Sequence, residues 1–257
     1  MFLKRLALLC LIGLAGVLVL LVFPRFMAGV ELSAEQDTVR RMRAGTTELA
    51  VGAINQAIQT RRDAARWDPG PRAQAELGEM LLTLAALEHP AAEELRPQLA
   101  EESLAATRAS LIKSPTQPFA WTRYAQALAL STELERAAAQ AAGEVLPAEE
   151  TAPVDRPLSM AVITGPWQAD LVPTRVEIGL FFWYRLSDFT RRLIAGQIFI
   201  AARIDPERLA EVTRRQNALR EVMAILLVED ELLQRFTRTY YYTQSIEATH
   251  GNEEEAE

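Results

Sequence analysis

Acid–base, nucleophilic or metal chemistry in this chain would have to come from a short set of residues. His89 and His250 are the only histidines and Cys10 is the only cysteine. His89 sits beside Pro90 at a helix end and His250 lies in an acidic tail, and no Ser-His-Asp or Cys-His set assembles around either. Cys10 lies inside an uncharged run, which excludes an intramolecular disulfide and a cysteine-based zinc site. Glu229-Asp230-Glu231 places three carboxylates in a row, but consecutive residues of a helix point around its axis rather than at one cation. Glu149-Glu150 and Glu253 to Glu255 have the character of solvated charge. No glycine-rich phosphate loop, HExxH or calcium-loop pattern occurs. The least implausible pair of catalytic acids is Glu177 and Asp188, which would have to face one cleft to act on a sugar. These residues predict a protein that is not an enzyme, with no cofactor and no metal.

The aromatics carry a stronger signal. Phe181, Phe182, Trp183 and Tyr184 are consecutive. Four such residues cover most of the circumference of a helix, so a single core cannot take them all. Either they form a central helix buried between two layers, or part of the set is a surface that docks a partner or stacks on a sugar. They are the candidate partner-binding residues. Tyr240-Tyr241-Tyr242 poses the same alternative near the C-terminus.

The elements that must position these residues read as helices. Leu6 to Phe23 is eighteen residues without a charge. At the helical rise this run spans ~27 Å, close to the hydrocarbon thickness of a bilayer. It is longer than the apolar region of a signal peptide and lacks a small-x-small cleavage pattern after it, which predicts an uncleaved anchor over residues 1–30. Lys4 and Arg5 favour a cytoplasmic N-terminus and a soluble part on the far side, the periplasm of a Gram-negative cell. Ser33 with Gln36 has the form of a capping box. The helix it opens is expected to end at Trp67, before Asp68-Pro69-Gly70-Pro71. A second is marked by Leu77, Met80, Leu81, Leu84 and Leu87, and a third runs from about Gln98 to Ile112. A fourth begins near Pro118, and Thr132 with Glu135 can cap a fifth. Leu146 to Pro157 has three prolines, three acids and no apolar period, which predicts an exposed loop over residues 147–157 between a helical region at 31–146 and another at 158–249. Asp205-Pro206-Glu207 is a helix N-cap with proline at the first position. Leu209 onward reads as continuous helix to Thr249, and residues 250–257 as a disordered acidic tail. No sustained two-residue alternation occurs, so the fold class is all-α. The net charge of −7 argues against nucleic acid as a partner.

The stretch from Ala106 to Leu130 resembles the tetratricopeptide pattern. Ser110 to Pro115 is similar to the end of a repeat's second helix with its proline, and Trp121, Tyr124, Ala125 and Leu128 fall where the next repeat places an aromatic, a large, a small and a large residue. Pro115, Trp121, Tyr124, Ala125 and Leu128 are therefore the expected repeat core, with Trp121 buried between two hairpins. Ser103 and Thr107 depart from the pattern, standing where repeats have alanine and an aromatic. The layout also resembles the VpsP-like polysaccharide biosynthesis proteins of bacterial exopolysaccharide operons. The resemblance is carried by Ser114 to Trp121, by Thr164-Gly165-Pro166-Trp167, and by Arg175-Val176-Glu177 with Trp183. It implies a membrane-anchored scaffold or accessory protein in surface polysaccharide biosynthesis or export, with other envelope or polysaccharide-synthesis proteins as partners. An anchored assembly factor for cytochrome c maturation or cell division is the competing expectation, and an unrecognised sugar-modifying enzyme is the third.

Overall fold

The computed structural model of the protein describes residues 2–34, 51–68, 70–86, 90–144 and 151–254. Among these residues every regular element is helical. The stretches Gly179 to Tyr184 and Phe199-Ile200 are helix and helical turn. The chain divides into two compact units, Met1–Pro115 and Thr116–Glu257.

Among the described residues the first unit has α1 (Phe2–Ala34), α2 (Val51–Trp67), α3 (Pro71–Ala85) and α4 (Pro90–Lys113). In α1, Leu11–Glu31 is apolar and long enough to cross a bilayer. The helix does not restart at Ser33 as the capping pattern suggests. Ser33 lies in the last turn of α1, and its hydroxyl donates to the Val30 carbonyl at 2.7 Å. Gln36, Val39, Met42 and Leu49 lie outside the described residues, as do Leu87 and His89. α2 ends at Trp67 as expected, and α3 starts with Pro71 at its first position, where the missing N–H costs nothing. Pro97, expected to lie before a helix, sits inside α4.

α3 and α4 pack through small residues. A Cβ on Gly78 would lie 2.5 Å from Thr107 Cγ2, so only glycine permits this approach. Ser103 Oγ donates to the Gly78 carbonyl at 2.9 Å, and Ser110 Oγ donates to the Pro71 carbonyl at 2.6 Å. Ser103, Thr107 and Ser110 are all fully buried. Their spacing of four and three puts them on one face of α4. This explains the departure at Ser103 and Thr107: the position calls for a narrow side chain with a donor. Arg96 Nε closes the other end by donating to the Ala85 carbonyl at 2.8 Å.

The second unit contains α5 (Pro118–Ala141), α6 (Asp155–Thr164), α7 (Val172–Phe181), α8 (Asp188–Ile204), α9 (Pro206–Arg215), α10 (Leu219–Leu226) and α11 (Asp230–Glu254). Single 3-10 turns at Ala169–Leu171 and Trp183–Arg185 lead into and out of α7. Its core is aliphatic and aromatic, with Leu158, Val172, Val176, Phe182, Ile194, Ile198, Leu209, Leu226 and Phe236 all buried.

Four expectations change here. Thr132 caps nothing: α5 runs through it, and its hydroxyl bonds back to the Leu128 carbonyl at 2.8 Å, which lets a threonine sit inside a helix. The loop expected over 147–157 is not exposed in its second half, because Ala152 and Val154 are buried and α6 begins at Asp155. Residues 145–150 lie outside the description. The helix expected from Leu209 to Thr249 is broken into three. Asn217 takes a φ of 51°, a left-handed conformation that asparagine tolerates better than most side chains. The acidic tail is helical through Glu254, with residues 255–257 outside the description. At Asp205 the expectation holds: its carboxylate accepts the Arg208 N–H at 3.0 Å.

Candidate functional site

The aromatic quartet lies where α7 ends and the chain turns into α8. The helix stops at Phe181, so the four side chains do not share one helical circumference. Phe182 is 2 % exposed and belongs to the core, edge-on to Phe181 with ring centroids 4.8 Å apart. Trp183 is half-buried against the same core, and Tyr184 is 76 % exposed. Of the four candidate partner-binding residues, Phe182 is in the core, Phe181 is exposed, and Trp183 and Tyr184 form the outward pair.

That turn is clamped. The Ala152 N–H donates to the Arg185 carbonyl at 2.8 Å. The Asp155 carboxylate accepts the Ser187 N–H at 2.7 Å and the Ser187 hydroxyl at 3.0 Å. Ser187 is also the N-cap of α8 and accepts the Thr190 N–H at 3.3 Å. One carboxylate in the first turn of α6 therefore ties the starts of two helices together and fixes the residues between Phe182 and Ser187.

Across from Trp183 and Tyr184, α10 supplies Arg220, Glu221, Ala224 and Ile225, and the six residues line an open groove of about 390 Å³. The Tyr184 hydroxyl donates to the Glu221 carboxylate. That hydrogen bond pushes the Tyr184 phenol above its ordinary range, so the hydroxyl stays protonated at physiological pH. The arrangement offers two aromatic faces, a guanidinium and a carboxylate on a rigid frame. The α10 contribution was not anticipated; the Asn217 turn and the three- and four-residue spacing of Arg220, Glu221, Ala224 and Ile225 were the available signals.

A second exposed aromatic is held by a buried network. Arg175, in α7, is fully buried. Its Nε donates to Thr122 Oγ1 at 3.2 Å, and its Nη1 donates to the Gly165 carbonyl at 2.8 Å and to Gln197 Oε1 at 3.2 Å. Gln197 Nε2 donates in turn to the Pro166 carbonyl at 3.0 Å. Burial pushes the guanidinium down to about 10, with Asp170 opposing, so it remains charged at neutral pH. A Cβ at Gly165 would lie 2.6 Å from Pro118 Cγ, so the loop fits against α5 only with glycine there. Trp167, next in this loop, is 79 % exposed.

The expected repeat core is divided. Ala125 is buried and Leu128 packs on the core, while Trp121 and Tyr124 are half-buried and edge-on with centroids 6.4 Å apart. Trp121 was expected to be fully enclosed. The inward face of α5 is instead taken by Thr122 and Ala125, three residues apart, and Trp121 points about 100° away from Thr122 around the helix. Pro115 follows α4 and closes the first unit.

Glu177 and Asp188 are each paired with an arginine. Glu177 pairs with Arg215 Nη1 at 2.6 Å, and Asp188 pairs with Arg191 one turn along α8, a hydrogen bond that holds its carboxyl below the usual range. Neither lines the groove. Glu229 pairs with Arg203 at 2.7 Å. Among the described residues no three histidine, cysteine or acidic side chains converge on a point. In the tyrosine run, Tyr240 packs on the core under the Arg214 guanidinium, and Tyr241 and Tyr242 face outward.

The chain matches no protein-family model, no curated protein and no solved structure.

Proposed function

We propose that this protein is a non-enzymatic, membrane-anchored helical scaffold that holds a partner protein at the bilayer through the Trp183–Tyr184 groove. The observation that carries the reading is the groove itself: an exposed Tyr184 and a half-buried Trp183 on a clamped turn, facing Arg220. Trp, Tyr and Arg dominate binding energy at protein interfaces, and a turn already fixed in the free protein loses little freedom on docking. The apolar stretch of α1 supplies the tether. Confinement to a membrane raises the effective concentration of a partner held there, so a small groove suffices.

The hairpins α3–α4 and α5–α6 are read as degenerate tetratricopeptide-like repeats, and the pathway as bacterial surface polysaccharide synthesis or export. Support for both is the resemblance at Ser114 to Trp121 and Thr164 to Trp167. On this reading α1 lies in the inner membrane with both units in the periplasm, and the partners are other envelope or polysaccharide-synthesis proteins.

The test places a photoreactive benzophenone at position 184 of the full chain in native membranes. A protein adduct that disappears with Arg220→Glu is expected. An adduct to glycan alone would replace the protein partner with a sugar chain, for which the same aromatic faces and the Arg220–Glu221 pair are also suited.

A further inference from the structure

The described part of the apolar run of α1 is left uncovered up to its end. Every described side chain from Leu11 to Phe23 is exposed. The cover begins at the next residue. Pro24, Met27, Ala28 and Glu31 are half-buried or buried, a spacing of three, one and three that marks one face of the helix. α2 lies against α1, and its last residue, Trp67, stands edge-on to Phe23 with ring centroids 6.0 Å apart. Two residues on in α1 and one residue past the end of α2, Arg25 Nε approaches Asp68 Oδ2 at 4.0 Å. α2 carries Arg61, Arg62, Asp63 and Arg66, so it cannot lie along a stretch immersed in hydrocarbon. The folded part of the first unit thus starts where the uncharged run stops, with no spacer between them. Leu11–Glu31 is long enough to cross a bilayer but holds Arg25 and Glu31, whereas the uncharged run Leu6 to Phe23 spans ~27 Å and fills the hydrocarbon core by itself. The boundary between lipid tail and headgroup then falls at Phe23, which is the level of Trp67. Trp67 is 41 % exposed there, and Phe26 is exposed beside it. An indole at that depth has an apolar body and a donor N–H, the combination that settles at a membrane interface.

We propose that the α2–α3 turn is a second membrane contact: Trp67 sits in the headgroup layer beside Phe23 and Phe26, so the first unit stands on the bilayer and does not swing freely on α1. The inference rests on α1 spanning the membrane. Its occupant is the lipid surface, selected by the coincidence of the apolar run's end, the first covered residues and the exposed indole.

The test uses the full chain reconstituted in phosphatidylcholine vesicles, with lipids brominated either near the headgroup or deep in the acyl chain. The wild type and Trp67→Phe are compared, so that the difference reports Trp67 alone. Shallow bromines are expected to quench a fraction of the emission that is lost in Trp67→Phe, and deep bromines to quench that fraction less. Cys10, the only thiol, reports the anchor in the same sample: it should react with a membrane-impermeant maleimide only after detergent. A protected Cys10 with no Trp67-dependent quenching would overturn the interfacial contact and leave the anchor standing. A Cys10 labelled without detergent would overturn both. Circular dichroism of Trp67→Phe guards against a folding defect, and aqueous iodide provides a second reading, since it should quench Trp67 weakly in vesicles and strongly in detergent-free water-exposed form.

Discussion

In the first unit, α3 and α4 meet through Gly78, Ser103, Thr107 and Ser110, and hydroxyls reach across to backbone carbonyls. In the second unit, α7 and α8 also approach at a glycine, but the space above Gly179 is filled by Ile194, whose Cγ2 would lie 2.6 Å from an added Cβ. Around that contact is a continuous cluster of Leu, Ile, Val and Phe with Arg175 as its buried polar hub. Both units bring helices close by deleting side chains. They differ in what fills the seam. Hydroxyl groups give short, directional contacts and little apolar burial, whereas branched aliphatics give burial that can support a strained or solvent-facing feature elsewhere. The second unit is accordingly the one that displays Trp167, Trp183 and Tyr184 on turns, and the first is the one that carries the apolar helix α1.

Truncation in the apolar core should show the largest effect. Phe182→Ala is expected to destabilise the second unit by about 3–5 kcal/mol in urea unfolding, the usual range for removing an enclosed aromatic ring. A smaller loss would mean the turn relaxes into the space and that the groove is not rigidly held. Arg175→Met comes next, at roughly 2–4 kcal/mol, because it leaves the Gly165 carbonyl and Gln197 without their donor. Arg175→Lys should recover little, since a single ammonium cannot reproduce the forked contacts to Thr122, Gly165 and Gln197.

The seam of the first unit should be sensitive in the opposite sense, to added volume. Gly78→Ala is expected to cost about 1–3 kcal/mol through contact with the Thr107 methyl. Combining it with Thr107→Ser should restore most of the loss while keeping the hydroxyl. If the double variant is no better than the single one, the close approach is not what Gly78 provides.

Much of this arrangement was legible in the residues. A helix apolar and long enough to cross a bilayer followed from eighteen uncharged residues, Trp67 as a helix end followed from Asp68-Pro69-Gly70-Pro71, and the Asp205 cap followed from its neighbours. What escaped had physical causes. Thr132 has the side chain of a cap, but a hydroxyl that bonds back to a carbonyl within its own helix removes the need for a break. Phe181 to Tyr184 could not be divided into core and surface without knowing where α7 stops. Ala152 and Val154 lie in a proline-rich segment without apolar period, yet two single residues can be buried when a clamp such as Asp155 to Ser187 draws the segment in. Most of the groove comes from α10, far away in sequence, and no local pattern announces a pairing at that distance.

The smallest expected effect on stability is also the one that bears on the central claim. Tyr184→Ala with Arg220→Glu changes two exposed side chains outside the core, so the unfolding midpoint and cellular abundance should match wild type. The decisive measurement is complementation of a strain lacking this gene by the full chain carrying that pair, scored by surface polysaccharide at matched abundance. Loss of polysaccharide with normal folding and membrane retention is the predicted result. Wild-type polysaccharide from the double variant would contradict the assignment of the Trp183–Tyr184 groove as the docking site.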